Sequence, residues 1–221
     1  MWCGGDVLIY RPAEVSSTPE SLADFFGDLD IYLFDQLLRG RITSDMTVLD
    51  VGCGGGRNLV YMLRAGYRVY GVDVDEEAVE ALRRLSGRLV PGYEEARFCV
   101  ERLPGLSFRD GMFDVVIAIA VLHFAADDDE FTAMLGELWR VMAPNGMLFA
   151  RLASSIGLED RVKPLGNRRF RLPDGTDRFL VDEPFLQARA ADLGATLLDP
   201  IKTVNVQGQR CMTTWCLRKR Q

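Results

Sequence analysis

The chain has 221 residues, of which 48% are hydrophobic and 26% charged, and its formal net charge is −6. This size suits one α/β domain with a buried core, and the negative charge argues against a protein that grips long nucleic acid, which needs a basic face. The sequence contains no run of 18 apolar residues and does not begin with a basic region followed by an apolar stretch, so we expect neither a membrane span nor a signal peptide.

The first predicted element is helical. Ser17 or Thr18, with proline and glutamate next, has the pattern of a helix start. Residues 21–39 then carry leucine and phenylalanine at largely helical spacing, with a possible break near residues 27–30. We predict that residues 1–45 form a helical cap or lid over the remaining core domain, residues 46–221.

A glycine-rich loop follows the first predicted strand, residues 48–51, which carries Asp50. Three glycines alternate in the loop, at Gly52, Gly54 and Gly56. Glycine tolerates a positive φ and lets a ligand approach the backbone closely. At the end of a central parallel strand, such a loop binds nucleotide-like cofactors. The second predicted strand ends in Asp73, whose carboxylate can accept hydrogen bonds from both ribose hydroxyls, so the pair of strand-end acids indicates a nucleoside site.

Two residues decide which nucleoside the loop suits. The dinucleotide fingerprint needs a small residue where this chain has Arg57, and it places a pyrophosphate on a helix N-terminus. Asp50 would put a negative charge close to that pyrophosphate. A cationic ligand without phosphate fits better, and S-adenosylmethionine carries an ammonium and a sulfonium group.

Residues 48–73 resemble the cofactor-binding half of class I S-adenosylmethionine-dependent methyltransferases, and the resemblance extends over about residues 30–150. The segment Gly56-Arg57-Asn58, together with residues 65–69, is similar to the tellurite-resistance-type branch of that superfamily. The resemblance implies a doubly wound, Rossmann-like α/β fold with a seven-stranded, mainly parallel sheet closed by a C-terminal antiparallel hairpin. The turn Gln207-Gly208-Gln209 is the hairpin signal in this chain.

The rest of the chain alternates helices with strands, as a doubly wound fold requires. The predicted helices are residues 58–65, 76–85, 129–142 and 183–193. The predicted strands after the second, residues 67–73, are residues 96–100, 113–118, 147–151, 196–206 and 210–217. Residues 153–181 form one long irregular region, rich in arginine and glycine, which we expect to overhang the carboxyl edge of the sheet on the substrate side.

The resemblance also implies roles for individual residues. Asp50 would lie near the ammonium group of the cofactor, Asp73 would bind the ribose, and Glu101 stands close to where the family places an acid on the adenine amino group. A surface position for Glu101 is as compatible with the sequence. The predicted cofactor-binding set is Asp50, Gly52, Cys53, Gly54, Gly56, Asp73, Val74, Glu101 and Ala118.

His123, the single histidine, is the candidate catalytic residue. Its ordinary pKa suits a general base, although a structural role at a strand-to-helix junction is the alternative. The predicted acceptor contacts are Tyr32, Arg151, Arg168 and Arg169. The last two belong to a basic stretch that suits either an anionic acceptor or a solvated loop.

Three functions agree with these observations. The favoured one is a methyltransferase acting on a small-molecule acceptor, as a monomer or homodimer without nucleic acid or membrane partners. A nicotinamide-dependent oxidoreductase and a non-catalytic binding module on the same fold are the alternatives. The five cysteines form an odd set without CxxC spacing, so we predict free thiols, a cytoplasmic protein and no metal site.

Overall fold

The structure is a computed structural model that describes residues 21–220. The predicted helix start at Ser17 or Thr18, and Cys3, lie outside this range. The described helices are α1 (Leu22–Phe26), α2 (Ile31–Leu38), α3 (Val60–Arg64), α4 (Glu76–Leu89), α5 (Asp128–Val141) and α6 (Glu183–Asp192). The described strands are β1 (Thr47–Val51), β2 (Arg68–Asp73), β3 (Phe98–Val100), β4 (Phe113–Ile119), β5 (Met142–Ala153), β6 (Lys163–Gly166), β7 (Arg169–Arg171), β8 (Asp177–Phe179), β9 (Thr196–Leu197), β10 (Lys202–Val206) and β11 (Arg210–Arg218).

The main sheet confirms the predicted fold class. Its strand order is β10-β11-β5-β4-β1-β2-β3, and the two-residue strand β9 pairs with β11 beside this path. Strands β1 to β5 are parallel to one another. Strand β11 is antiparallel to both β5 and β10, so it forms the predicted closing hairpin with β10.

Both faces of the sheet are covered, which explains the continuous apolar run in β4. Val115 and Ile117 face the core that α2, α3 and α4 complete. Val116 and Ala118 face the other core, with α5 and α6. Successive side chains of a strand point to opposite faces, so a strand buried on both sides must be apolar at every position.

The structure corrects two of the predicted elements. The predicted strand at residues 196–206 divides into β9 and β10. The proline at position 200 has no N–H to donate to a neighbouring strand. The Asp199 carboxylate forms ion pairs with Arg39 and Arg41, which follow α2. Residues 153–181 are not irregular throughout, since β6, β7 and β8 form a three-stranded antiparallel sheet. The break between α1 and α2 at residues 27–30 is confirmed.

Strand β5 begins five residues earlier than predicted because a bulge precedes its regular part. Phe113 pairs with Met142 but Val115 pairs with Met147, so the β5 residues between these two pairs arch out of register. A Cβ at Gly146 would lie 2.6 Å from the Met142 Cγ and 2.8 Å from the Ala143 carbonyl oxygen. The bulge therefore requires glycine at this position.

We expect the Gly146→Ala variant to lose about 1–3 kcal/mol of unfolding free energy, because the added methyl group overpacks the bulge. Urea denaturation measures the loss. Gly136→Ala is the matched control: it lies in α5, its added Cβ would meet no atom within 4 Å, and alanine is the better helix former. Equal stability of the two variants would contradict the packing argument.

Candidate functional site

A cavity of about 420 Å³ lies at the carboxyl ends of β1, β2 and β4. Strand β1 pairs with β2 on one side and β4 on the other, so this is the point where the strand order reverses, the usual ligand site of a doubly wound sheet. We call it the first cavity. Its lining residues are Val51, Gly52, Val72, Asp73, Val74, Glu101, Arg102, Leu103, Ala120, Val121, Phe124, Glu130 and Met134.

The glycine loop is held against the end of β2. The Gly52 and Cys53 N–H groups donate to the Val72 carbonyl at 2.8 and 3.0 Å, and the Gly54 N–H donates to Asp73 Oδ2 at 2.8 Å. Gly52 has a φ of +70°, and a Cβ there would overlap the Val121 side chain. The absence of a side chain at Gly52 thus lets Val121 pack against the loop at the wall of the first cavity.

Gly56 serves a different purpose from Gly52. A Cβ at Gly56 would meet the side chains of Leu82 and Leu85, both of which belong to α4. The structure therefore assigns this predicted cofactor contact to helix packing. The third glycine of such loops commonly has that role.

Asp73 lines the first cavity with spare hydrogen-bonding capacity. Its Oδ2 accepts from Gly54 and its Oδ1 accepts from the Asp75 N–H at 3.0 Å. Asp75, not Asp73, caps α4 by accepting from the Glu77 and Ala78 N–H groups. A carboxylate offers about four lone-pair sites, so Asp73 can accept further hydrogen bonds from a ligand.

Asp50 is a buried acid without a hydrogen-bond partner. It is 1% exposed, and neither carboxylate oxygen has a partner among the described residues. Burial raises the pKa of Asp50 to about 7, against the lowering effect of the Arg57 charge. An ionised carboxylate in such a place is costly. A cationic group bound next to it would remove much of that cost.

Two of the predicted cofactor contacts, Cys53 and Ala118, are not among the residues that line the first cavity. Cys53 is buried against Gly71, and burial raises the pKa of its thiol. Ala118 is fully buried in β4, paired with Val51 and Ala150. Ala120 lines the cavity instead, where the chain leaves the sheet with a φ of +61°.

Val74 and Glu101 line the first cavity as predicted. Val74 is 56% exposed and forms an apolar part of the rim of the first cavity. The Glu101 carboxylate accepts a hydrogen bond from the Ser107 N–H at 3.1 Å and another from the Ser107 hydroxyl at 2.5 Å. These two bonds orient Glu101 at the cavity edge.

A second cavity, of about 410 Å³, shares the residues Ala120 and Phe124 with the first. Four arginines line it, Arg57, Arg151, Arg178 and Arg210, against two aspartates, Asp30 and Asp174. The other lining residues are Ile119, Ala120, His123, Phe124, Ala153, Leu172, Thr176, Cys211 and Met212. The cavity is therefore rich in positive charge and adjoins the first.

Arg151, a predicted acceptor contact, lies in the second cavity but is paired. Its guanidinium contacts the Asp30 carboxylate and lies 4.6 Å from the centre of the Tyr32 ring. Asp30 also caps α2 through the Tyr32 and Leu33 N–H groups. Tyr32 thus supports Arg151 and does not line the cavity. Sequence analysis did not single out Asp30, although its position just before a helix was a capping signal.

The structure places Arg168 and Arg169 away from the second cavity. Arg168 pairs with Asp182 at 3.1 Å and also approaches Asp128, while Arg169 donates to the Ala125 carbonyl.

The cross-strand pairs explain which arginine reaches the second cavity. Phe170 pairs with Arg178 and Arg169 pairs with Phe179. Cross-strand partners share one face of a sheet and alternate residues face opposite sides, so Arg178 lies in the cavity and Arg169 does not. The structure thus places Arg178 of the basic segment in the second cavity, and not the predicted Arg168 and Arg169. Arg210 was missed because nothing in its local sequence marks it.

His123 lines the second cavity but is unsuited to the predicted role of general base. Its Nδ1 accepts the Ala153 N–H at 3.2 Å, so the neutral ring carries its proton on Nε2. Burial, together with the nearby Arg178 charge, lowers the pKa of His123 to about 4. The ring is neutral at pH 7 and offers a donor to the cavity.

No group of three or more histidine, cysteine, aspartate or glutamate side chains is arranged to hold a metal ion within residues 21–220. None of the helices in this range combines the length and apolar character needed to cross a membrane.

Comparison with known proteins shows what the central part of the chain is similar to. Residues 49–150 match the family described as methyltransferase domain. The chain is 35% identical over 120 residues to the 2-methyl-6-phytyl-1,4-hydroquinone methyltransferase of Synechocystis sp.. It is 31% identical over 155 residues to the ubiquinone biosynthesis O-methyltransferase of Caulobacter vibrioides.

These alignments cover 54% and 63% of this chain, but only 35% and 59% of the respective relatives. Among solved structures, a SAM-dependent methyltransferase from Methanosarcina mazei matches with a TM-score of 0.68 and 23% identity. That match covers 83% of this chain and 97% of the solved one. At this identity it supports the fold.

Proposed function

We propose that the protein belongs to the class I methyltransferases and transfers a methyl group from S-adenosylmethionine to a small-molecule acceptor. The match of residues 49–150 to the methyltransferase-domain family supports this proposal. The observation that carries the proposal is the pair of strand-end acids at the glycine loop, one buried without a partner and one with free lone pairs. A nucleoside with a cationic tail satisfies both acids.

The residues of the first cavity fit this cofactor. Asp73 would accept from the ribose hydroxyls, and the apolar Val74 and Leu103, with Glu101 at the edge, suit an adenine ring. Asp50, directly before Val51 of the cavity wall, would balance the ammonium charge. The bound cofactor supplies a methyl group on a positively charged sulfur, whose departure leaves a neutral thioether.

The main contribution of the protein to the reaction is to position the acceptor and the cofactor relative to each other. Methyl transfer is an in-line displacement, and holding the nucleophile about 3 Å from the methyl carbon supplies much of the rate. Ala120 and Phe124 belong to both cavities. We place the transfer at this shared wall, with the acceptor in the second cavity, and assign Arg151 to the acceptor side, where Asp30 and Tyr32 orient it.

The charge of the second cavity supports an anionic acceptor. Of its four arginines, only Arg151 makes an ion pair with a described residue. Because only two aspartates oppose the four arginines, the wall of the cavity has an excess of positive charge. An acceptor that carries a carboxylate or another acidic group would balance it.

Other parts of the proposal rest on less specific support. The segment Gly56-Arg57-Asn58 favours the tellurite-resistance-type branch, and the free thiols of Cys53, Cys99, Cys211 and Cys216 favour the reducing cytoplasm. We propose that residues 1–45 act as a cap and that the segment 153–181 covers the acceptor. We expect a monomer or homodimer, which light scattering distinguishes.

Calorimetric titration with S-adenosylmethionine, S-adenosylhomocysteine and NADH, in parallel, tests the proposed cofactor. We expect micromolar binding of the first two and none of NADH, because the loop presents a buried carboxylate to the ligand and no phosphate site. Binding of NADH alone would establish the oxidoreductase alternative. Binding of none of the three would leave a non-catalytic module.

A further inference from the structure

The second cavity holds no group placed to remove a proton from an acceptor. Asp30 is engaged by Arg151 and by the N-terminus of α2. Asp174 accepts from both the N–H and the hydroxyl of Thr176, and these bonds lower its pKa. Both Asp30 oxygens are occupied, and the lowered pKa of Asp174 makes it a poor proton acceptor at neutral pH.

The remaining titratable groups near the shared wall are equally unsuited. His123 has its Nδ1 occupied by the Ala153 N–H and is neutral. Burial raises the pKa of the Cys211 thiol, so the thiol keeps its proton. On the side of the first cavity, Glu130 accepts from the Ala126 N–H at 2.6 Å.

Arg178 occupies a contrasting position. Its guanidinium lies 5.0 Å from the centre of the Phe124 ring, which belongs to both cavities. Its Nη1 donates to the Asp177 carbonyl at 2.8 Å, and no carboxylate lies within ion-pair distance of it among residues 21–220. Two acids, Asp174 and Asp177, are close enough for Arg178 to lower their pKa values but make no ion pair with it. A cation free of direct ion pairs therefore stands beside the wall where methyl transfer is expected.

From this arrangement we propose that Arg178 activates the acceptor by stabilising the ionised form of its attacking hydroxyl or thiol, in place of a protein base. The inference rests on the proposed function and adds the chemical class of the acceptor, an acidic hydroxyl or thiol. An opposite charge at about 4–6 Å lowers the pKa of an acid by about 1–3 units. The acceptor proton is thus lost to solvent before transfer.

The reaction then balances without a proton acceptor from the chain. A lone pair of the ionised oxygen or sulfur forms the bond to the methyl carbon. The bond between that carbon and the cofactor sulfur breaks, and its electron pair stays on the sulfur. The negative acceptor and the positive donor become two neutral products, which removes the charge that Arg178 had balanced and favours product release.

The experiment uses 4-nitrophenol as the probe, since its phenolate is coloured and its ionisation can be followed without turnover. The full-length protein is saturated with S-adenosylhomocysteine, and absorbance against pH gives the pKa of the bound probe. In the wild-type protein we expect a pKa at least about one unit below that of the free probe. Arg178→Gln should return it to the free value, whereas Arg178→Lys should keep part of the shift.

Lys163→Gln is the matched control, because it removes the same charge from an exposed position on the same small sheet. We expect it to keep the wild-type shift. An unshifted pKa in the wild-type protein, a shift that survives Arg178→Gln, or no probe binding to protein that does bind S-adenosylhomocysteine would overturn the inference. Failure to bind S-adenosylhomocysteine would contradict the proposed function itself.

Discussion

The Asp50→Asn variant is expected to be more stable than the wild-type protein above pH 7 and to bind S-adenosylmethionine more weakly. Asp50 is buried without a partner, and its pKa is raised to about 7. Against an unfolded-state pKa of about 3.9, this difference of about three units corresponds to about 4 kcal/mol at most. Asparagine has nearly the same shape but no charge to bury.

The sign of the pH dependence follows from where the proton is bound. Between about pH 4 and pH 7 the folded protein keeps the proton of Asp50 and the unfolded chain does not. Unfolding then releases a proton, so the contribution of Asp50 to stability falls as the pH rises through this range. The advantage of the variant should be near zero at pH 4 and reach its full size above pH 7.

Urea denaturation at several pH values measures this advantage, and calorimetry measures the loss of cofactor affinity. Asp114→Asn is the control, because the Asp114 carboxylate is only partly buried and accepts a hydrogen bond from the Thr47 N–H at 2.8 Å. That variant should not gain stability as the pH rises. An Asp50→Asn protein that is no more stable than the wild type at pH 8 would refute the assignment of Asp50 as a strained functional residue.

The second large effect is expected at Asp73. Alanine there removes the acceptor for the Gly54 N–H and the Asp75 N–H as well as the proposed ribose contact. We expect S-adenosylhomocysteine to bind about 10- to 150-fold more weakly, which corresponds to about 1.5–3 kcal/mol for hydrogen bonds to a charged group. Calorimetric titration of the purified variant measures the change.

Asp75→Ala separates binding from local folding. Asp75 caps α4, so its loss should cost about 1 kcal/mol of stability, but its side chain does not line the first cavity. We expect this control to keep the affinity for S-adenosylhomocysteine. If both variants lose affinity equally, the effect of Asp73 is on the loop and not on the ribose.

Much of the cofactor site was predictable because its signals are local. A glycine loop lies between an apolar strand and a helix, and a second strand that ends in an acid follows. Because β1 and β2 are parallel neighbours in the sheet, Asp50 and Asp73 lie at the same edge. Asp75 and Asp182 cap α4 and α6, and their positions directly before these helices are the local signal for that role. Ala120 lines the first cavity in place of the predicted Ala118, because the sequence does not show where β4 ends.

The acceptor side was predictable only in outline. The basic character of residues 153–181 is visible in the sequence, but which arginines face inward depends on the register of β7 and β8. A shift of one residue reverses the faces of a strand, so composition could not separate Arg178 from Arg169. Arg210 reaches the cavity from the C-terminal hairpin, more than 50 residues from Arg151 in the chain.

The sequence by itself determined the fold class, the glycine loop and the two strand-end acids, because hydrophobic periodicity and glycine positions act over a few residues. Only the tertiary structure decided the charge and protonation of the site. Burial without a partner raises the pKa of Asp50, and the Ala153 N–H with burial turns His123 from a predicted base into a neutral donor. Both effects depend on which groups the fold brings together and on how much water it excludes.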